Sequence, residues 1–121
     1  MSQSILVVDD EPMARTLLRL MLVRAGFEVI EAENGYDALT KIDAKAPDVV
    51  ILDVMMPEMD GFTVCEKLRA NAQTAHLPII MLSAKTDQQS IKRGKDAGAD
   101  EYLTKPISHD ELTRHVHRIL G

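Results

Sequence analysis

The sequence predicts an α/β domain built on a parallel five-stranded sheet with helices on both faces. Apolar runs at Ile5–Val8, Phe27–Ile30, Val49–Leu52, Ile79–Leu82 and, more weakly, Tyr102–Leu103 alternate with stretches of helical periodicity. The first four runs read as near-continuous rather than alternating, broken only by Glu28 in the second, as strands buried on both faces require. Strand-then-helix, repeated along the chain, is the order of a parallel sheet.

Each element has its own signal. The first run ends in Asp9-Asp10. Ala14, Leu17, Leu18, Met21, Leu22 and Ala25 then fall at helical spacing, and Gly26 stops the helix. Ala38, Leu39, Ile42 and Ala46 form a second stripe before Pro47, with Asn34 as N-cap. Phe62, Cys65, Leu68 and Ala72 make the third. Leu112, Val116, Ile119 and Leu120 make the last, and Ser108 with Glu111 fits a capping box at its start. The segment from Thr86 to Ala97 is polar nearly all round, with Ile91 its main apolar residue and Gly94 inside it. A helix there is expected to be weakly held and relatively mobile.

The 121 residues suit one domain, read as spanning 1–121. Apolar residues make up 45% and aromatics only 3%, so the core has to be aliphatic, helped by 7 Met. A net charge of -5 argues against direct binding to nucleic acid, which needs a basic face. Cys65 is the single cysteine, so no intrachain disulfide forms, and its place on an apolar stripe makes it a small hydrophobe. No stretch nears the ~20 apolar residues of a membrane helix, and the N-terminus lacks a signal-peptide pattern. A soluble, cytoplasmic domain without membrane contact is expected. His76, His109, His115 and His117 are expected at the surface, without a zinc site.

Polar residues gather at the strand ends. In open α/β sheets ligands bind beyond the carboxyl ends of the strands. Here those ends carry Asp9-Asp10, Asp53, Ser83 and Lys105-Pro106. An acid closing a buried strand is costly unless something compensates it. Three clustered carboxylates call for a cation, and oxygen donors suit magnesium, with manganese as an alternative. Metal, Lys105, Ser83 and backbone N–H groups would together accommodate a phosphoryl group. One carboxylate would then be the nucleophile, and Asp53 stands alone before an open turn. Plainer readings exist for each residue. Asp9 and Asp10 can cap the next helix, Ser83 can be a turn residue and Lys105 a solvated charge. Tyr102 can be a half-buried core aromatic, while Met55, Met56 and Met59 can simply pack a loop.

Four segments together resemble the receiver domain of two-component response regulators over essentially the whole chain. They are Ile5-Leu6-Val7-Val8-Asp9-Asp10-Glu11, Pro47 through Gly61, Pro78-Ile79-Ile80-Met81-Leu82-Ser83-Ala84, and Gly98 through Pro106. The resemblance implies a (βα)5 doubly wound, flavodoxin-like sheet of order 2-1-3-4-5. It implies that Asp53 accepts phosphate from a sensor histidine kinase or phosphotransfer protein. Asp10, Asp53 and the backbone carbonyl of Met55 would ligate magnesium, and Asp9 would act through metal-bound water. Ser83 and Lys105 would bind phosphoryl oxygens. Tyr102 would swing inward with Ser83 and change the face formed by the fourth helix, fifth strand and fifth helix (α4-β5-α5). That face would meet a downstream effector, or a second copy in a homodimer. The Lys105-Pro106 bond is expected to be cis. Met55 and Lys85 would border the route of the hydrolytic water and tune the phosphorylated lifetime. Met55 offers no strong hydrogen bond to water, which predicts slow autodephosphorylation.

Two other functions compete with a non-enzymatic signalling switch. A magnesium phosphohydrolase of the haloacid-dehalogenase type would want a second Asp two residues after the nucleophile, where Met55 stands. A phosphate-independent interaction module would have no need of the full acid, hydroxyl and lysine set. A flavin module fits poorly with the low aromatic content and acidic pocket.

Overall fold

The computed structural model describes residues 3–121. Five strands and five helices alternate: β1 (Ser4–Val8), α1 (Pro12–Arg24), β2 (Glu28–Ala32), α2 (Gly35–Ala44), β3 (Val49–Asp53), α3 (Gly61–Ala70), β4 (Ile79–Ser83), α4 (Gln88–Asp96), β5 (Glu101–Thr104) and α5 (His109–Leu120). All strand pairs are parallel, in the order β2-β1-β3-β4-β5. The expected doubly wound fold is therefore present.

Successive strand residues point to opposite faces, so the apolar runs of β1, β3 and β4 feed two cores. By contrast β2, an edge strand carrying Glu28 and Glu31, is only partly buried rather than covered on both faces as expected. Leu6, Val8, Val50, Leu52, Ile79 and Met81 pack with α2 and α3 through Ala38, Ile42, Cys65 and Leu68. Ile5, Val7, Val49, Ile51, Ile80 and Leu82 pack with α1 and α5 through Leu18, Leu22, Leu112 and Val116. Cys65 is buried, its Sγ 3.3 Å from the Ala97 carbonyl, and burial pushes its thiol up to about 11. It packs as a small hydrophobe, as expected.

The helix starts follow local chemistry. Asn34, Asp60, Asp87 and Ser108 each cap a helix, accepting from the N–H of Asp37, Thr63, Ser90 and Glu111. Glu11 caps α1, accepting from Met13 and Ala14 N–H, so neither Asp9 nor Asp10 serves there.

Some stripe assignments change. Leu17 faces outward with Met13, Leu20 and Val23, and α1 buries only Leu18 and Leu22. The apolar set wraps more than one face of that helix, and contact with the sheet covers only part of it. Ala46 and Ala72 lie beyond the ends of α2 and α3 and are exposed. In α4 the single buried residue is Gly94. A Cβ there would meet the Tyr102 ring and the Met81 sulfur, so glycine lets the helix seat against β5.

Candidate functional site

Strand register assembles the site. Val8 pairs with Leu52, so Asp9 follows on directly beside Asp53. Asp53 pairs with Leu82 and Ser83 with Thr104, which sets Ser83 and then Lys105 along the same rim. The carboxylates of Asp9, Asp10 and Asp53 each offer an oxygen within 4.8 Å of the others. Asp9 and Asp53 are buried and Asp10 is exposed. Lys105 Nζ lies 2.9 Å from Asp9 Oδ2 and 3.7 Å from Asp53 Oδ1. The Lys105-Pro106 bond is cis, as expected.

Electrostatics distinguishes Asp53 from ordinary acids. Burial, reinforced by the charges of Asp9 and Asp10, holds its carboxyl at about 6, although Lys105 and the Met55 N–H act in the opposite direction. For Lys105, burial pulls the ammonium down. The Asp9 hydrogen bond and the charges of Asp53 and Asp9 outweigh it, and its pKa is raised. One ammonium among three carboxylates leaves a negative excess. The donor set is oxygen alone, which fits a hard divalent cation.

The turn after Asp53 is held by backbone contact. Gly61 N–H donates to the Val54 carbonyl at 3.0 Å. A Cβ on Gly61 would strike the Asp53 carbonyl oxygen and the Val54 Cα. Gly61 therefore lets α3 begin directly against the residue that carries the key carboxylate. The sequence reads Gly61 only as a helix-end or turn glycine, whereas it opens α3. Glu58 in the same loop has φ +68. Met56 and Met59 are buried, and Met55 is exposed beside Asp53, with its N–H 3.4 Å from Asp53 Oδ1.

Ser83 is fully buried at the end of β4, and its Oγ accepts from the Lys85 N–H at 3.0 Å. Its own hydroxyl proton remains free to donate. Tyr102 is half-buried and packs on the α2/α3-side core, while its hydroxyl donates to the Lys85 carbonyl at 2.8 Å. Asp9, Asp10, Asp53 and Lys105 thus meet directly, whereas Ser83 and Tyr102 are tied to Lys85. His115 departs from the expected surface position. It is largely buried between α5 and β5, with Nδ1 2.8 Å from Glu101 Oε1, and Arg118 joins the same carboxylate.

The sequence model for the response regulator receiver domain matches residues 5–117. This chain belongs to that family. The alkaline phosphatase synthesis transcriptional regulatory protein PhoP of Bacillus subtilis is 45% identical over 120 residues, covering 99% of this chain and 49% of that protein. The receiver spans about half the length of such curated relatives, which are transcriptional regulators rather than enzymes by name. Among solved structures, the Vibrio cholerae chemotaxis protein CheY4 matches with TM-score 0.93 at 34% identity, covering 98% of this chain and 99% of that one. The receiver domain of the Pseudomonas aeruginosa sensor histidine kinase PA1611 matches with TM-score 0.93 at 30% identity, covering 100% and 99%. That structure has a magnesium ion coordinated in its active-site cleft. Among the described residues of this receiver, no helix is long and apolar enough to cross a membrane.

Proposed function

We propose that this receiver is a phosphorylation switch whose acceptor is Asp53. The observation that carries the reading is the convergence of Asp9, Asp10 and Asp53 around Lys105 at one sheet rim. Asp10, Asp53 and the Met55 carbonyl would hold magnesium, or manganese in its place, with Asp9 acting through a bound water. When bound, the metal would screen the carboxylates and the charge on the incoming phosphoryl oxygens.

The chain's own groups supply the rest. With its carboxyl at about 6, Asp53 is mostly ionised at neutral pH and presents a lone pair. An Asp53 oxygen bonds to phosphorus as the donor's P–N bond breaks, and that electron pair leaves with the donor imidazole. Lys105 sits between Asp9 and Asp53 and would move onto a phosphoryl oxygen. Ser83 would donate its hydroxyl proton to another. The donor would be a sensor histidine kinase or a phosphotransfer protein.

The readout follows from differential contacts in the two states. Recruiting Ser83 would release the Lys85 N–H and so shift the residue whose carbonyl holds Tyr102, reshaping the α4-β5-α5 face. A downstream effector protein or domain would bind there, or a second copy in a homodimer. The receiver catalyses only its own phosphorylation and dephosphorylation. Its curated relatives are regulators of transcription by name, and control of such an effector is the output proposed. Direct contact with nucleic acid is not part of it, given the net charge of -5.

Incubation with magnesium and a small acyl-phosphate donor tests the reading by intact mass. A gain of one phosphoryl group is expected, and none in Asp53→Ala. A folded protein that gains nothing would overturn it.

A further inference from the structure

A cation outside the acid cluster braces the turn that carries it. Arg15, early in α1, donates through Nη1 to the Asp9 backbone carbonyl at 2.6 Å. Its Nε donates to Glu31 Oε1 on β2 at 3.0 Å. The side chain is only 16% exposed, so this is an embedded guanidinium bonded to two different elements. Glu31 is fixed in turn: Arg19 Nε lies 3.2 Å from its second carboxylate oxygen, and Lys41 donates to its carbonyl. The neighbouring Ala32 carbonyl accepts from the Asp9 N–H at 3.2 Å. The end of β2 thus supports residue 9 at both its N–H and, through Arg15, its carbonyl.

The two acids after β1 differ in how they are held. The Asp9 carboxylate has anchors of its own, the Glu11 N–H at 3.0 Å and Lys105 at 2.9 Å. Asp10 is exposed, and among the described residues nothing bonds its carboxylate. Where its side chain starts from therefore depends on the backbone alone. The peptide unit that enters Asp10 is the one whose carbonyl Arg15 holds, and a peptide unit is rigid. Fixing that carbonyl fixes the plane from which the Asp10 side chain departs.

We propose that Arg15, buttressed by Glu31, is a positioning residue for the divalent-cation site: it holds the 9–10 peptide so that the Asp10 carboxylate stays turned toward Asp9 and Asp53. This rests on the reading of the acid cluster as a divalent-cation site. Arginine suits the task because its planar fork bonds two acceptors at a set angle, which a lysine ammonium does not reproduce. Groups that orient metal ligands from outside typically change affinity by about 10- to 100-fold when removed.

The test is manganese binding to the unphosphorylated protein, followed by the electron-spin resonance of the free ion, with thermal unfolding measured without divalent ions. Arg15→Ala is expected to bind Mn2+ about tenfold more weakly, the low end of that range. Arg15→Lys and Glu31→Gln should fall between it and the wild type. The rate of phosphorylation by an acyl-phosphate donor should recover fully at raised metal, so the apparent metal affinity shifts and the maximal rate does not. Adding Glu31→Gln to Arg15→Ala should cost nothing further. Wild-type Mn2+ affinity in Arg15→Ala, or in Arg15→Lys should the alanine variant not fold, would overturn the proposal. So would a lowered unfolding temperature with affinity intact, which would mark Arg15 as a brace of the fold alone. A wild-type protein that binds no Mn2+ would instead remove the cation reading itself, before any substitution is compared.

Discussion

Ser83 and Tyr102 grip opposite ends of a single residue. The Lys85 N–H donates to Ser83 Oγ, and the Lys85 carbonyl accepts from the Tyr102 hydroxyl. The two side chains come from neighbouring strands, β4 and β5. They share no direct bond, yet neither can move without changing what holds the loop between β4 and α4. The Lys85 side chain is no part of this link, which runs entirely through its backbone.

Tyr102→Phe keeps the ring in its seat beside Gly94 and Met81 and removes only the bond to Lys85. One such bond is worth about 1 kcal/mol net. We expect a small loss of global stability and clearly faster hydrogen exchange at Lys85 and its neighbours. Exchange rates equal to wild type would show that the hydroxyl does not restrain the loop.

Met55 is exposed next to Asp53, and its thioether is only a weak acceptor. Met55→Asn places an amide where it can orient water toward an acyl phosphate. The phosphorylated lifetime should shorten. A lifetime that stays the same or lengthens in a decay time course would refute the assignment.

The raised Asp53 carboxyl has a consequence for stability. In the unfolded chain the group ionises near 3.8, and in the fold only at about 6. The stability associated with its protonated form is complete below about pH 4 and is lost as pH rises through about 6. Asp53→Asn escapes that loss. Without divalent ions it should exceed the wild type at pH 7 by up to about 3 kcal/mol. The gap should close as pH falls toward 4, and magnesium should narrow it at neutral pH. Urea unfolding across this range measures it, and a gap that widens in acid would contradict the assigned direction.

Gly61 and Gly94 both admit a close neighbour, but the neighbours differ. At Gly61 a methyl group meets the backbone of Asp53 and Val54, which cannot yield. Gly61→Ala should cost roughly 1–3 kcal/mol and slow phosphorylation. At Gly94 it meets the Tyr102 ring and the Met81 sulfur, which can shift. Helix propensity favours alanine there by about 1 kcal/mol. The net effect of Gly94→Ala on stability should therefore be small, with Tyr102 displaced. Equal losses in denaturant unfolding would argue against the distinction.

The strand runs and terminal acids were legible because two-sided burial leaves a continuous apolar signature that an acid interrupts visibly. Asn34 and Ser108 were readable as caps for a similarly local reason. What escaped depends on geometry between distant segments. Arg15 looks like one more charge on a helix until β2 brings Glu31 beside it. Gly61 reads as a turn residue until its missing Cβ is seen to face Asp53. Leu17 fits the apolar stripe of α1 and still points outward, because periodicity states a face without stating how wide a strip the sheet covers. His115 resembles other helix-surface histidines until Glu101 arrives from β5. Ser83 was placed on the right rim, but its bond to the Lys85 N–H follows from the path of the chain after β4.

Gly94 as the lone buried residue of α4 has a mechanical corollary. Relocating a helix that plugs large side chains into a core leaves a void, at about 24 cal/mol for each cubic ångström opened. Here no bulky plug has to be withdrawn at that point, so sliding or tilting the segment vacates little volume. On the proposed reading, a phosphoryl group on Asp53, at the end of β3, would need only a modest driving force to reset the position of α4.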